Sequence, residues 1–152
     1  MRAFGVSRDE DGQVGGVEAA VFGVLVFVFG TLVVANAWAV IDAKLAASSA
    51  AREATRSYVE AGSASQAAAS AQRAAEEAIR GHGRSVDRMA LAPVEGRFAR
   101  CSRVTVEARY RVPLLAVPVL GQRGTGFTVA ARHSEVVDPY RSGLAGEAAC
   151  GA

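Results

Sequence analysis

The hydropathy pattern divides the chain into an apolar run, an alanine-rich stretch and a C-terminal region with a period of two. The run Ala19–Ile41 has 23 residues without a charge, bracketed by Glu18 and Asp42. A helix of that length rises about 34 Å, enough to cross a hydrocarbon core of roughly 30 Å. The pattern predicts one transmembrane helix, with Trp38 near one end, where an amphipathic ring favours the membrane interface.

The same run has a second interpretation, as the apolar core of a secretory signal peptide. Val21–Val34 is long enough, and small residues at Ala35 and Ala37, or at Ala37 and Ala39, are typical of a cleavage site. The acidic residues before the run, and its continuation past these sites, favour the membrane span.

Small residues recur at intervals of seven in and just before this run. Gly16, Gly23, Gly30 and Ala37 share one stripe, because seven residues are close to two helical turns. Such stripes let neighbouring membrane helices approach closely, although glycine is common in these helices in any case. Asn36 lies deep in the run, where an amide favours a partner across a helix contact or the lipid headgroups.

Helical character continues beyond the apolar run. Ala43–Ala61 contains neither glycine nor proline and predicts an extension of the helix, with Gly62 ending it. Ser63 to Gln66 resembles a capping box that starts a second helix, about Ser65–Arg80. Residues 42–81 are thus predicted to form a helical stem.

Residues 82–152 predict a small antiparallel β region with a C-terminal tail. Ser102–Val112 alternates strictly, and Val86–Val94 and Phe127–Val137 are weaker strand candidates. The apolar face of the central strand would carry Val104, Val106, Ala108, Tyr110 and Val112. Pro118–Gly126 predicts a loop. The predicted fold class is α+β, with a long N-terminal helix packed on a sheet of about three strands.

Composition limits the classes that remain. A chain of 152 residues with 51% hydrophobic residues is neither disordered nor, with two cysteines, a disulfide-dense scaffold. A net charge of +2 does not argue for a nucleic-acid partner. Two basic residues precede the apolar run and three follow it closely, so charge alone does not set the orientation.

Candidate catalytic chemistry is sparse. His82 and His133 are far apart, and no Cys–His spacing is typical of a zinc site. The glycine-rich run Gly121–Gly126 does not follow a strand and open a helix, as a phosphate-binding loop must. The sequence predicts a protein that is not an enzyme, with no metal, cofactor, small-molecule substrate or nucleic acid.

Cys101 and Cys150 allow only one pairing. Outside the cytoplasm a disulfide would close a loop of about 50 residues and contribute on the order of 4 kcal/mol in the chain-entropy model. The alternative is two unrelated thiols.

Glu18 is a carboxylate one residue before the apolar run. It could complement the dipole at the start of the helix, which contributes a fraction of a kcal/mol to about 1 kcal/mol. Alternatively it is an assembly charge, which pairs with the freed α-amine of a neighbouring identical helix at the lipid boundary.

The polar leader Gly12–Ala20, the apolar helix, the alanine-rich stem and the small β region together resemble type IV pilin-like proteins. They are most similar to the TadE-like pseudopilins of tight-adherence (Flp-type) pilus systems. The stretch Ala131–Arg141 also resembles the end of TadE-like proteins.

That resemblance implies a minor pilin that assists pilus assembly by helix–helix association in the membrane. It implies a leader, residues 1–18, on the cytoplasmic side, a helix at 19–41, and a C-terminal region outside. A prepilin peptidase would cut between Gly12 and Gln13, leaving Glu18 as the sixth residue, one position from the usual spacing. The acidic leader also departs from the more basic leaders of the family.

A different class remains as the alternative, a membrane-anchored or secreted binding domain unrelated to pili. Its ligand would be an anionic polymer bound by Arg103, Arg109 and Arg111, which a solvated sheet face also explains.

Overall fold

The computed structural model describes residues 11–113, 126–146 and 150, with side chains from residue 16 onwards. Within these ranges the chain forms two α-helices, one 3₁₀ turn and a three-stranded antiparallel sheet, which confirms the predicted α+β class. In chain order the elements are α1 (Asp11–Val59), α2 (Ala64–Gly81), the 3₁₀ turn (Val86–Arg88), β1 (Met89–Leu91), β2 (Arg103–Val112) and β3 (Phe127–Val136).

The chain divides into two compact units, residues 1–37 and 38–152. Residues 16–37 of α1 are called the apolar segment below, and residues 38–152 the head unit. The two units are described separately.

Inside the head unit, α1 buries a seam of six alanines, next to the fully buried Thr55. The seam residues follow a three-and-four spacing, which places them on one helix face, and all are fully buried: Ala43, Ala46, Ala47, Ala50, Ala51 and Ala54. Methyl side chains let the backbone of α1 come close to its neighbours. The seam belongs to one core with α2 and the inner face of the sheet.

The helix breaks where glycine and serine predicted it, although the predicted capping box does not form. α1 ends at Val59 and α2 begins at Ala64. Ser63 makes no side-chain capping bond; its hydroxyl lies 3.0 Å from that of Ser65, and its carbonyl accepts the amide of Ala67 at 3.0 Å. α2 then buries one residue per turn, namely Ala67, Ala71, Ala75 and Ile79.

The sheet has the order β1-β2-β3, with both pairs antiparallel. Val104, Val106, Ala108, Tyr110 and Val112 all point inward and are buried, as their alternation predicted. β1 is shorter than predicted, because the chain makes a 3₁₀ turn from Val86 to Arg88 before Met89 begins to pair with Tyr110. Gly126 takes a φ of +72°, and a Cβ there would collide with the carbonyl of Val112, so glycine is required where β3 begins.

Arg141, in the segment after β3, caps the end of α1. Its guanidinium donates to the carbonyls of Val59, Glu60 and Ala61, at 2.9 Å from the Glu60 oxygen. The last carbonyls of a helix have no partner within the helix, and Arg141 supplies one here. It also lies 5.5 Å from the centre of the Phe98 ring.

The two cysteines are joined in a disulfide beside this segment. Cys101 and Cys150 have Cα atoms 5.1 Å apart. The amide of Cys101 donates to the carbonyl of Val137 at 3.0 Å, and Arg100 Nε donates to the carbonyl of Arg141 at 2.7 Å. The disulfide therefore lies next to the segment from which Arg141 contacts the end of α1.

Candidate functional site

The apolar segment exposes its large side chains around the whole helix. Val17, Val21, Phe22, Val24, Leu25, Val26, Phe27, Val28, Phe29, Val33 and Val34 are all more than half exposed. A surface helix of a soluble protein is amphipathic and buries its one apolar face. A helix that is apolar on all sides instead suits lipid or the interior of a helix bundle. α1 is the one helix in the described part of the chain that is long and apolar enough to cross a membrane.

The predicted small-residue stripe lies open on this surface. A Cβ added at Gly16, Gly23 or Gly30 would meet no atom within 4 Å. Gly30 forms the floor of a shallow hollow between the side chains of Phe27 and Val34. The missing side chains leave room into which a second helix could pack, which is the geometry of close helix pairs in membranes.

The two uncharged polar side chains of the segment each bind a carbonyl of their own helix. Thr31 Oγ1 donates to the carbonyl of Phe27, and Asn36 Nδ2 donates to that of Leu32, each at 2.8 Å. Such bonds to the carbonyl four residues back reduce the cost of a hydroxyl or amide in lipid. A contact from Asn36 to another helix stays a prediction.

Glu18 lies on the exposed surface of α1, seven residues after its first residue, Asp11. The helix dipole acts mainly on the first turn, so the dipole explanation of Glu18 loses weight. Gly12 and Gln13, the predicted cleavage pair, lie in the first turn of α1. Residues 1–10 of the predicted leader lie outside the described residues, as does the predicted loop up to residue 125.

Where the apolar run ends, α1 makes one ion pair and two hydrogen bonds with other parts of the head unit. Arg84 Nη2 donates to the carbonyl of Ala39 at 3.2 Å, and Arg84 Nε donates to Asp42 Oδ2 at 3.1 Å. Lys44 Nζ donates to the carbonyl of Ala130 on β3. Nothing in the local pattern around Arg84 indicated this contact, since its partners lie more than 40 residues away.

The outer face of the sheet carries an ionic cluster centred on Glu107. Its two carboxylate oxygens accept from Arg109 Nε on the same strand and from Arg132 Nε on β3. The hydrogen bond from Arg109 lowers the pKa of Glu107 most, and the hydrogen bond from Arg132 lowers it further. The bond between Arg132 and Glu107 also raises the pKa of Arg132. Arg109 is one of the basic residues that alternation predicted for this face, and it is paired with the carboxylate of Glu107.

The two histidines lie apart in the fold. His82 caps the end of α2, and His133 sits in β3 with Nε2 3.2 Å from Glu135 Oε1. Among the described residues no group of three or more histidine, cysteine, aspartate or glutamate side chains could hold a metal ion.

No family model, curated protein or solved structure matches the chain.

Proposed function

We propose that this chain is a TadE-like minor pilin or pseudopilin, a single-pass membrane protein that assists assembly of a tight-adherence pilus. α1 anchors it and associates with the helices of other pilin-like subunits. The head unit lies on the extracytoplasmic side and the leader in the cytoplasm, where a prepilin peptidase is the enzyme expected to act on Gly12 and Gln13.

One observation carries the proposal. The apolar segment exposes large side chains on every face, together with the open glycine stripe, and it forms part of the same α1 helix whose later residues build the core of the head unit. A helix that serves only as a membrane anchor does not require a glycine stripe, whereas close packing against other helices does.

Glu18 gives the proposal its electrostatic part. An exposed carboxylate at the start of the apolar run is costly near lipid unless a cation neutralises it. If the peptide bond after Gly12 is cut, the new α-amine of Gln13 supplies such a cation on a neighbouring subunit. The pair would favour ordered assembly over random clustering in the bilayer.

The experiment compares two substitutions with matched controls in the native membrane. Gly30→Leu fills the stripe, and Val28→Leu places the same side chain on another face of the helix. Glu18→Gln removes the charge at the start of the run, and Glu53→Gln removes one from the exposed surface of α1 within the head unit. Cross-linking between subunits and the yield of pili are the measurements.

We expect Gly30→Leu and Glu18→Gln to abolish cross-linking and pili, and both controls to retain them. Normal assembly in both test variants would show that α1 is an anchor only, which favours the alternative of a membrane-anchored binding domain. N-terminal sequencing of the purified protein adds a second measurement, since a chain that starts at Gln13 supports processing as a prepilin.

A further inference from the structure

One end of the sheet lies beside the residues at which the apolar run of α1 finishes. Arg84, which binds Ala39 and Asp42, also lies 5.2 Å from the ring centre of Tyr110 on β2. Lys44 reaches the carbonyl of Ala130 on β3. These contacts, all within the head unit, place the C-terminal end of β2 and the start of β3 at the level of α1 residues 39–44.

A basic groove opens on the outer face of the sheet at this same end. It is lined by Arg88 from the 3₁₀ turn, Arg109 and Arg111 from β2, and Thr128 from β3, with a volume of about 200 Å³. Arg111 pairs with Thr128 across the strands, so the guanidinium and the hydroxyl share one face. Three guanidinium groups and a hydroxyl together suit a phosphate oxygen.

Two of the three arginines in the groove have no ionic partner among the described residues. Within the described ranges Arg88 and Arg111 form no ion pair or side-chain hydrogen bond, and Arg109 shares Glu107 with Arg132. The one acidic residue that lines the groove, Asp87, accepts a hydrogen bond from Ser85. The groove therefore keeps an excess of positive charge toward solvent.

Exposed apolar side chains accompany this charge at the same end of the head unit. Phe127, at the start of β3, is 55% exposed, and Trp38 is 71% exposed on α1. Exposed aromatic rings and arginines at one end of a domain are typical of protein surfaces at the headgroup level of a membrane.

We propose that this groove binds the phosphate of an anionic phospholipid. The proposal depends on the membrane span in the proposed function, but not on pilus assembly. The geometry favours lipid over a soluble phosphate polymer, because the groove lies at the level where the apolar run ends.

The test uses the full chain reconstituted in nanodiscs made from equal parts of phosphatidylcholine and phosphatidylglycerol. Native mass spectrometry then counts the lipids of each kind that remain bound after release. The test variant is Arg88→Gln/Arg111→Gln, which leaves the Glu107 cluster intact. The control is Arg52→Gln/Arg97→Gln, which removes the same charge from two exposed arginines that do not line the groove.

We expect the unaltered chain and the control to retain phosphatidylglycerol preferentially, and the test variant to lose that preference by roughly tenfold or more. Equal retention of both lipids by the unaltered chain would overturn the proposal, as would an unchanged preference in the test variant. Binding of soluble polyphosphate in discs of phosphatidylcholine alone, with the same dependence on Arg88 and Arg111, would overturn the lipid assignment in favour of a polymer.

The two proposals fail separately. A chain that does not enter nanodiscs has no membrane span, and both proposals then fall. A chain that enters them and selects phosphatidylglycerol, yet forms no contacts between subunits in the native membrane, retains the lipid site and loses the assembly function.

Discussion

Arg84 binds Asp42 across 42 residues of sequence, with 3.1 Å between Nε and Oδ2. The Arg84 side chain is only 15% exposed, and it also binds the carbonyl of Ala39 and covers Tyr110. One guanidinium thus joins α1, the turn after α2 and the centre of the sheet. Asp42 is also the first charge after the apolar run, so this contact holds the turn after α2 against α1 within the head unit.

Replacing Arg84 should destabilise the head unit. Arg84→Gln removes a charge-assisted hydrogen bond to Asp42 and a cation–π contact with Tyr110, so we expect a loss of about 2 kcal/mol in the free energy of unfolding. Urea unfolding in detergent micelles, followed by circular dichroism, measures it. Arg80→Gln is the control, because the pair between Arg80 and Glu76 is exposed and should contribute less than about 0.5 kcal/mol. Equal losses in the two variants would contradict this role of Arg84.

Arg141 should hold the last turn of α1 closed. Lysine at this position keeps the charge but lacks the planar fork that reaches three carbonyls, so Arg141→Lys should cost about 1 to 2 kcal/mol. Hydrogen exchange should rise in the last turn of α1, near Arg56 to Val59, and stay unchanged in the alanine seam. Unchanged exchange at the end of α1 would show that Arg141 does not cap it.

The disulfide should be a large contributor to the stability of the head unit. Cys101 and Cys150 are 49 residues apart, and closing a loop of that size contributes about 4 kcal/mol in the chain-entropy model. Cys101→Ser/Cys150→Ser should therefore unfold at much lower urea than the oxidised chain, and the reduced chain should match the double variant. Coincident unfolding curves for the oxidised chain and the variant would rule out a stabilising bond.

Glu107 should contribute to stability at neutral pH and cease to do so in acid. Its pKa is lowered in the folded chain by Arg109 and Arg132. The contribution is complete above the ordinary glutamate pKa of about 4.3, and it is lost as pH falls below that value through the lowered folded pKa. Glu107→Gln should thus be less stable than the unaltered chain at pH 7, and the difference should shrink below about pH 4.

Unfolding curves at several pH values test this prediction. Glu77→Gln is the matched control, because Glu77 is exposed and makes no ion pair among the described residues. A stability difference for Glu107→Gln that stays constant down to acid pH would show that the two arginines do not favour the charged carboxylate.

The sequence predicted the elements whose partners are local or repeat along the chain. Strict alternation in β2 assigned all five inward residues correctly, because period two leaves only one register that buries them. The same alternation placed Glu107 on the outer face, which is right, but it did not show that the residue is 92% covered. One of its two hydrogen-bond partners is Arg132 on another strand, and no local pattern specifies a partner 25 residues away.

Contacts set by tertiary structure could not be predicted. Ser63 has the type and spacing of a capping residue for α2, yet its hydroxyl lies beside that of Ser65 and leaves the start of α2 without a side-chain cap. Arg84 and Arg141 each bind residues more than 40 positions away. The groove formed by Arg88, Arg109 and Arg111 likewise depends on how the 3₁₀ turn meets the end of β2.

The cap on α1 has a consequence for how the chain is made. Arg141 is synthesised 80 residues after Ala61, whose carbonyl it binds, and β2 and β3 are also made after α1. At about 5 to 20 residues per second, that interval is roughly 4 to 16 s. In the earlier part of it the alanine seam of α1 lacks the strands of its core, so the nascent helix carries an open methyl surface until β2 and β3 have been translated.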